Sequence, residues 1–544
     1  MSAFLLLLLQ APSAAGGPAD LVLRNGMVHT MEAAQPRAQA LAVRGGRIVF
    51  VGSSAEAAAL VGEKTEIVDL RGRPLCPGFT DAHGHLGGLA AALRNVDLVG
   101  TRSYAEVIER VRARAAATPK GQWILGRGWD QNDWEVKKFP VHAELSAAVP
   151  DHPALLTRID GHALLANARA MQAAGITRAT VDPEGGRILR DGAGEPTGVF
   201  VDAAESLIAR VVPEADAAAL RESVRAAVAL LHERGITGLH DAGVSAATLD
   251  LYAAMARAGE LELREYVLLA DDPRTLEAWF RRGPAQDLTG DGRIRVRAIK
   301  AYADGALGSR GAALLADYAD DPGNRGLAQT SVEDLEGLAE RALRGGFQLC
   351  THAIGDAGNR MVLDAYAQAL RTVPVADHRF RIEHAQVLAP EDIPRFAQLG
   401  VLPSMQAQHA VSDGPWAEAR LGPERVQGAY AWRALLDRGV IIPGGSDFPV
   451  EAVDPIAAFA AAVTRNGWHT EQCMTREEAL ASLTIWPAYA AFQEDELGSI
   501  RVGKRADFVV LSEDLLNVPE TRLGAVRVEL TVFDGRVVHR LAAR

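Results

Sequence analysis

The sequence predicts an α/β protein: a distorted (β/α)8 TIM barrel with a small β-sandwich domain formed by both termini and a large insertion after the first barrel strand. Three observations predict this fold. The middle of the chain alternates strand-like apolar segments with alanine-rich amphipathic segments, and eight of the strand-like segments can be counted. Both ends carry short strands broken by turn residues. About 150 residues separate the first two central strands, far more than an ordinary connection needs.

Composition limits the functional classes. The chain has 544 residues, 57 Lys plus Arg, 69 Asp plus Glu and a net charge of −12, with 48% hydrophobic and 23% charged residues. This is typical of a globular enzyme, and the acidic balance without a basic run argues against a nucleic-acid partner. The cysteines Cys76, Cys350 and Cys473 are far apart, so neither a zinc ribbon nor a disulfide framework is indicated.

The amino terminus, residues 1–15, predicts a signal peptide with cleavage after Ala15. Its apolar run from Ala3 to Leu9 is followed by small residues, and it is shorter than the about 20 residues that a spanning helix needs. A merely frayed apolar start is the alternative. We therefore expect a secreted or periplasmic protein with no stable membrane insertion after cleavage.

Residues 19–75 and 495–544 are predicted to build the β-sandwich. Their strand-like runs are separated by the turn pairs Asn25–Gly26, Gly45–Gly46 and Asp534–Gly535, which favour hairpins because Asn, Asp and Gly tolerate positive φ. Since two β segments at opposite ends flank a helix-rich middle, the simplest packing closes one sandwich from both ends of the chain.

Residues 76–494 are predicted to form the barrel. Its strands are expected around Phe79, Gly238, Tyr266, Lys300, Cys350, Ile382, Leu402 and Pro443. Ser331 and Asp334 predict a capped start for the helix after the fourth strand. The site of such a barrel lies at the carboxyl ends of its strands.

The insertion is predicted to cover residues of about 95–215. It contains Trp123, Trp129 and Trp134 within a short stretch. These side chains indicate either a pocket wall above the barrel or a small hydrophobic core for the insertion itself.

Histidines and one aspartate occur where barrel strands are expected to end. His83 and His85 are two residues apart, so both imidazoles can face the same point. His352, His384 and Asp447 end three later strands, Asp447 on the face shared with Ile441, Pro443 and Gly445. Such a convergence of nitrogen and oxygen donors predicts a metal site at the barrel mouth.

Lys300 is predicted to face the barrel interior beside these residues. The alternation of Ile294, Val296, Ala298 and Lys300 places them on one face. Burial and nearby metal ions would drive the amine towards neutrality, where carbon dioxide can convert it to a carbamate that bridges two ions. The alternative is an unmodified Lys300 paired with Asp304.

These motifs resemble the amidohydrolase superfamily, and within it the YtcJ-like branch of the third amidohydrolase family, which includes N-substituted formamide deformylases. The resemblance runs from about Ala19 to Arg540 and is carried by PGFTDAHGHL, GRGWDQNDW, DGHALLANARA, PTGVF, KAYADGALGSRGAAL, THAIGDAGN, IEHAQ and SDFPV. It implies the same barrel and sandwich.

The resemblance also implies roles for the metal ligands. His83, His85 and Asp447 would hold the more buried ion, His352 and His384 the outer ion, and Lys300 would bridge them. One or two divalent ions are expected, with zinc favoured by the donor types and manganese, iron or cobalt as alternatives.

Further residues are candidates for catalysis and substrate binding. Asp447 is expected to take the proton of the attacking water and pass it to the departing nitrogen. His162 and His240 could orient the substrate carbonyl or stabilise its charge, or be structural. Trp129, Asp130 and His162 would shape the pocket, and Arg310 would reach an acidic substrate group or form a structural ion pair.

The sequence thus predicts a metal-dependent hydrolase of a non-peptide C–N bond in a small molecule: an N-substituted amide, a formamide or a small N-acyl compound. Hydrolysis of a lactone, ester or cyclic amide is the alternative within the same chemistry. A secreted binding protein that uses a metal only for stability is the alternative outside enzymes. The oligomeric state is left open, including a homo-oligomer.

Overall fold

A parallel barrel sheet forms the centre of the protein. The structure, a computed structural model, describes residues 17–213 and 217–542, so the predicted signal peptide 1–15 lies outside the described residues. In chain order the eight barrel strands are Phe79–Gly84, Ile236–Val244, Arg264–Ala270, Ile294–Tyr302, Gln348–Ala353, Arg381–His384, Leu402–Gln406 and Gly444–Gly445. Each strand pairs in parallel with the next.

The two edges of this sheet meet beside the first strand. The Asp447 amide donates to the His83 carbonyl at 2.7 Å, and the His85 amide donates to the Phe448 carbonyl at 2.9 Å. These bonds bring the first and last strands together and confirm the predicted distorted barrel.

Helices follow most barrel strands and cover the sheet. They are Leu86–Ala92, Ala217–Glu233, Ala246–Arg257, Pro273–Arg282, Val332–Gly345, Asp356–Thr372, Ile393–Leu399, Ala407–Arg425, Trp432–Leu436, Pro455–Thr464, Arg476–Ser482 and Ile485–Ala490. The predicted helix start at Ser331 is confirmed, because the Ser331 side chain accepts the Asp334 amide. No helix in the described part of the chain combines the length and apolarity needed to cross a bilayer.

Strands from both ends of the chain build the two sheets of the sandwich. One sheet has the order Arg47–Gly52, Ala40–Arg44, Leu21–Arg24, Glu66–Asp69, and the other has the order Arg536–Arg540, Val528–Phe533, Phe508–Leu511, Pro74–Pro77, Met27–His29, Arg37–Ala38. Buried residues such as Leu23, Leu41 and Phe508 share one core between the sheets.

Two of the three predicted hairpins are confirmed. Gly45–Gly46 and Asp534–Gly535 each join two antiparallel neighbours. The hairpin at Asn25–Gly26 is wrong, because the strands on its two sides belong to different sheets. This turn passes the chain from one layer of the sandwich to the other.

The insertion has its own sheet and core. Its strands, in sheet order, are Gly186–Arg190, Pro196–Asp202, Ala163–Ala166, Ala154–Arg158, Ile124–Trp129 and Val96–Asp97, and its helices are Tyr104–Ala116, His142–Ala148 and Ala168–Ala173, with a short helix Ser206–Ala209 beyond them. Trp129 and Trp134 pack in this core with Leu156 and Phe139. Of the two alternatives, a pocket wall or a hydrophobic core for the insertion, the core is therefore confirmed for these two tryptophans.

Candidate functional site

Four histidines and Asp447 converge at the carboxyl end of the barrel. The ring centroids of His83 and His384 are 4.8 Å apart, those of His83 and His85 are 5.4 Å apart, and those of His352 and His384 are 4.6 Å apart. The first, fifth, sixth and eighth strands thus bring together side chains separated by up to several hundred positions.

His83 is held by a buried ion pair of Glu383 and Arg381. Its Nδ1–H donates to Oε2 of Glu383, and Glu383 Oε1 lies 2.7 Å from Nε of Arg381, with all three side chains inaccessible to solvent. Burial and the Lys300 ammonium lower the pKa of His83 to about 4. Because Glu383 fixes the proton on Nδ1, the neutral ring presents the lone pair of Nε2 to the site.

His85 and Asp447 form the second part of the site. His85 Nδ1–H donates to the Ala242 carbonyl at 2.9 Å, and its Nε2 lies 3.0 Å from Asp447 Oδ1. Burial opposes ionisation of Asp447, but His85 and His83 hold the pKa of this carboxyl well below its usual value. The site therefore contains an ionised carboxylate in contact with imidazole nitrogens.

His384 faces the other oxygen of Asp447. Its Nδ1–H donates to Oε1 of Gln406 at 2.7 Å, which leaves the lone pair of Nε2 available to bind a metal ion. The site contains two groups of three possible metal ligands, and within each group one ligand atom from every residue lies within 4.8 Å of the others. The first group is His83, His85 and Asp447, and the second is His384, His409 and Asp447. His409, near the start of the helix Ala407–Arg425, was not among the predicted ligands.

His352, predicted as a ligand of the outer ion, lies on the fifth barrel strand beside His384. Its Nε2 lies 3.4 Å from the Gly305 carbonyl and 3.6 Å from Oδ1 of Asp304. Burial and the neighbouring His384 hold the pKa of His352 well below its usual value. Within residues 17–213 and 217–542, His352 belongs to neither group of clustered ligand atoms, although its ring contacts His384.

Lys300 lies at the bottom of the site. Its side chain is 1% exposed, its Nζ is 3.3 Å from Nε2 of His83, and burial lowers its pKa. The alternative partner Asp304 instead accepts the amides of Ile354, Gly355 and Ala313 at 2.8 to 2.9 Å. The buried Lys300 amine is therefore directed at the predicted ligands.

The strand that carries Lys300 departs from the predicted alternation. Its pairing shifts between Val296 and Ala298, which indicates a bulge. Ile294 and Val296 pack in the large core cluster, whereas Ala298 packs in the small cluster inside the barrel with Cys350. The predicted common face is therefore wrong for Ile294 and Val296, although Lys300 still faces inward.

His162 approaches the site from the insertion. Its ring centroid is 5.9 Å from that of His352, and its Nδ1–H donates to Asp202 at 2.8 Å. Burial opposes protonation, but Asp202 and Asp160 raise the pKa of His162 to about 9. His162 is therefore a cation at neutral pH beside the neutral imidazole of His352.

Four predicted site residues have structural partners. Asp130 pairs with the buried Arg158, and Arg310 pairs with Asp320 at 2.9 Å, the ion-pair alternative for that arginine. His240, predicted as catalytic, accepts from Arg381 at 2.8 Å and is buried. The indole N–H of Trp129, predicted to bind substrate, donates to the Leu156 carbonyl within the core of the insertion, so its ring does not line the site.

Sequence reasoning missed three residues that orient the predicted ligands and a fourth, His409, that lies beside them. Glu383, Arg381, Gln406 and His409 all lie on or directly after strands that carry or neighbour a predicted ligand. For Glu383 a signal was present, because an acid next to a ligand histidine is a common second partner of a metal site. No comparable signal marked Gln406 or His409.

The donors at this site fit a divalent metal ion. They are imidazole nitrogens and a carboxylate, without a thiolate, and such donors suit zinc and its neighbours. Lowered pKa values leave His83 and His384 neutral, which metal binding requires. Each of these rings also has its other nitrogen hydrogen-bonded to an acceptor, as in known metal sites.

Comparison with known proteins gives consistent matches. The profile of the amidohydrolase family matches residues 66–539. YtcJ of Bacillus subtilis (strain 168) is 33% identical over 532 residues, 95% of this chain and 99% of that protein. An N-substituted formamide deformylase of Arthrobacter pascens is 31% identical over 538 residues, 95% of this chain and 97% of that protein. A crystal structure of an uncharacterized metal-dependent hydrolase from Pyrococcus horikoshii OT3 is 27% identical with a TM-score of 0.76, and the match covers 92% of this chain and 99% of that one.

Proposed function

Because this chain belongs to the amidohydrolase family, and is a metal-dependent hydrolase of that family with a small-molecule substrate, we propose that it hydrolyses a non-peptide C–N bond. The substrate class is an N-substituted amide, a formamide or a small N-acyl compound. The deformylase of Arthrobacter pascens, similar over 95% of this chain, supports the choice of an amide over an ester.

One observation carries the proposal. His83 and His85 place imidazole nitrogens 3.7 Å and 3.0 Å from Oδ1 of the ionised Asp447. A purely structural metal site would need no further open position or proton acceptor. Here the ionised Asp447 can accept a proton, and the protonated His162 lies beside His352.

We propose that His83, His85 and Asp447 hold one ion, that Lys300 takes part as a carbamate, and that the ion is zinc. When bound, a divalent ion supplies Lewis acidity, which makes water a nucleophile near neutral pH and polarises a carbonyl oxygen. Cobalt, manganese or iron could replace zinc at nitrogen and oxygen donors.

The chain's own residues handle the protons. Asp447, ionised in the site, accepts the proton of the attacking water at a carboxylate oxygen and delivers it to the departing nitrogen. His162, held by Asp202, can donate its Nε2–H to the carbonyl oxygen as negative charge develops there. Glu383 and Gln406 keep the proton of their ligand histidines on Nδ1.

A hydrolysis screen tests this proposal. Zinc-reconstituted protein is assayed on N-substituted formamides, N-acyl amines and matched esters, lactones and cyclic amides. We expect turnover of the acyclic amides, and loss of turnover by more than about 100-fold in His83→Ala, since losing a partner outside the coordination shell already costs about 10- to 100-fold.

His142→Ala is the matched control, because His142 bonds to Ser146 in the insertion. Full activity in His83→Ala would contradict the proposal. Preference for the esters would favour the alternative hydrolase, and stoichiometric ligand binding without turnover would favour a binding protein.

We also propose that the protein is exported, on the basis of the apolar run in residues 1–15. Expression of the full chain in a Gram-negative host, followed by mass spectrometry of the periplasmic fraction, should give a mature protein beginning at Gly16. Recovery of an uncleaved chain in the cytoplasm would contradict export and leave the hydrolase proposal intact.

A further inference from the structure

His409 lies at the barrel mouth without an evident task. It follows the seventh barrel strand by three residues, in the first turn of the helix Ala407–Arg425. Its ring is stacked with that of His384 at a centroid distance of 6.3 Å and an interplanar angle of 24°. The helix therefore presents this imidazole to the same space as the strand-borne ligands.

The Nε2 atom of His409 is buried and finds no hydrogen-bond partner among the residues that the structure describes. A buried polar atom without a partner is unfavourable, and such atoms in folded proteins generally contact water, an ion or a ligand. The position of His409 beside His384 and Asp447 indicates which of these it contacts.

His384 and Asp447 are arranged to share a ligand with His409. One donor atom from each of the three residues lies within 4.8 Å of the others. Because Gln406 accepts the hydrogen bond from Nδ1–H of His384, the lone pair of His384 Nε2 is available to bind an ion. Asp447 contacts His85 Nε2 through Oδ1 at 3.0 Å, while its Oδ2 lies 3.9 Å from Nδ1 of His384.

The two oxygens of Asp447 thus face two different sets of histidines. His83 and His85 lie on the side of Oδ1, and His384 lies on the side of Oδ2. Because an ionised carboxylate has about four lone-pair sites, Asp447 can contact one ion through each oxygen and still accept the proton of a water molecule. Three such donor atoms within 4.8 Å of one another could contact one ion, whose bonds to imidazole and carboxylate are typically about 2.0–2.2 Å.

We infer that His409 is a metal ligand: together with His384 and Asp447 it holds a second divalent ion, separate from the one that His83 and His85 hold. The inference rests on the proposed metal-dependent function. It places a histidine from the helix after the seventh strand in the coordination sphere.

Metal affinity tests this inference directly. The full wild-type chain and His409→Asn are loaded with zinc or cobalt and titrated against a chelator, and the ions per chain are measured by elemental analysis. We expect one ion to bind at least about 10-fold more weakly in His409→Asn, the lower limit typical of losing even an indirect partner of a metal. The cobalt-loaded variant should also lose part of its visible absorption.

His142→Asn is the control and should keep both affinities within roughly twofold, since His142 lies in the insertion and bonds to Ser146. Unchanged affinity for every ion in His409→Asn, with a raised KM alone, would overturn the inference and make His409 a substrate-binding residue. A wild-type chain that binds no ion would overturn the proposed function as well.

A second measurement needs no substitution. The imidazole C2–H exchange of His409 is followed by mass spectrometry in metal-free and metal-loaded wild type. Binding of an ion to the ring nitrogen should slow this exchange, and an unchanged rate would overturn the inference even if His409→Asn fails to fold.

Discussion

Single residues set the protonation of the site, and the Glu383 carboxylate is central among them. It accepts from His83 and pairs with Arg381, and burial opposes its ionisation while Arg381 and His83 hold its pKa well below the usual value. Glu383 therefore acts as a positioning residue that keeps His83 in the tautomer needed for binding a metal.

Glu383→Gln should weaken metal binding by about 10- to 100-fold. It should also lower the free energy of unfolding by about 3 kcal/mol, because the buried Arg381 loses its anionic partner. Chelator competition and urea unfolding of the metal-free protein measure the two effects. Glu340→Gln, which removes an exposed pair with Arg344, should change stability by less than about 0.5 kcal/mol.

His162 gives the site a pH-dependent cation. Because its pKa is raised from 6.5 to about 9, its protonation stabilises the folded state fully below pH 6.5, and this stabilisation is lost as the pH rises through about 9. In Asp202→Asn the histidine can keep an amide oxygen as acceptor but loses the negative charge beside it, so the stabilisation should be smaller.

The difference in unfolding free energy between wild type and Asp202→Asn should therefore be largest near pH 6 and shrink towards about pH 10. Urea unfolding across this range measures it. A difference that stays constant would show that Asp202 does not raise the pKa of His162.

At the scale of elements, strand ends and helix starts position the chemistry. His384 and Asp447 have φ values of 72° and 60°, so both residues leave regular strand geometry where they enter the site. Arg381 and Glu383 face inward by strand alternation. Because the backbone turns at His384, the side chain of His384 faces the site as well, although it directly follows Glu383. Non-glycine residues at positive φ are uncommon and persist where the surroundings fix them.

The helix Val332–Gly345 depends on its cap. The hydroxyl of Ser331 accepts the amide of Asp334 at 3.0 Å. Ser331→Ala should lower the free energy of unfolding by about 1 kcal/mol, while Ser331→Thr, which keeps an oxygen acceptor, should stay within a few tenths. Urea unfolding measures both, and equal losses in the two variants would contradict a role for the hydroxyl.

At the scale of the whole molecule, the barrel and the sandwich are joined by buried charges. Arg264, on the third barrel strand, lies 3.0 Å from Asp534 and also pairs with Asp507, both of which belong to the sandwich. These contacts tie together parts of the chain that are more than 240 positions apart. The sandwich therefore packs against the amino-terminal end of the barrel, the end opposite the site.

Asp507→Ala should destabilise the protein by about 3 kcal/mol, because removing one partner of a buried pair leaves a charge that is only partly compensated. Asp317→Ala, which breaks the exposed pair with Arg325, should cost less than about 1 kcal/mol. Urea unfolding followed by circular dichroism tests the pair of variants. Equal effects would mean that Arg264 is sufficiently held by Asp534.

The sequence by itself determined the barrel, the sandwich from both termini and the strands that carry or directly precede His83, Lys300, His352, His384 and Asp447. Periodicity and turn residues are local, and strand order in a parallel barrel follows chain order, so these features can be inferred from spacing. The eighth strand was less regular than predicted: only Gly444–Gly445 is strand, and Asp447 reaches the site through its positive φ.

Only the tertiary structure decided the partners of those residues. The placement of Trp129 in a core, the ion pairs of Asp130 and Arg310, and the grouping of His409 with His384 depend on contacts between segments distant in sequence. Whether a polar side chain faces a substrate or a neighbouring charge is fixed by packing in three dimensions. One bulge or one residue at positive φ is enough to turn a side chain to the other face of its strand.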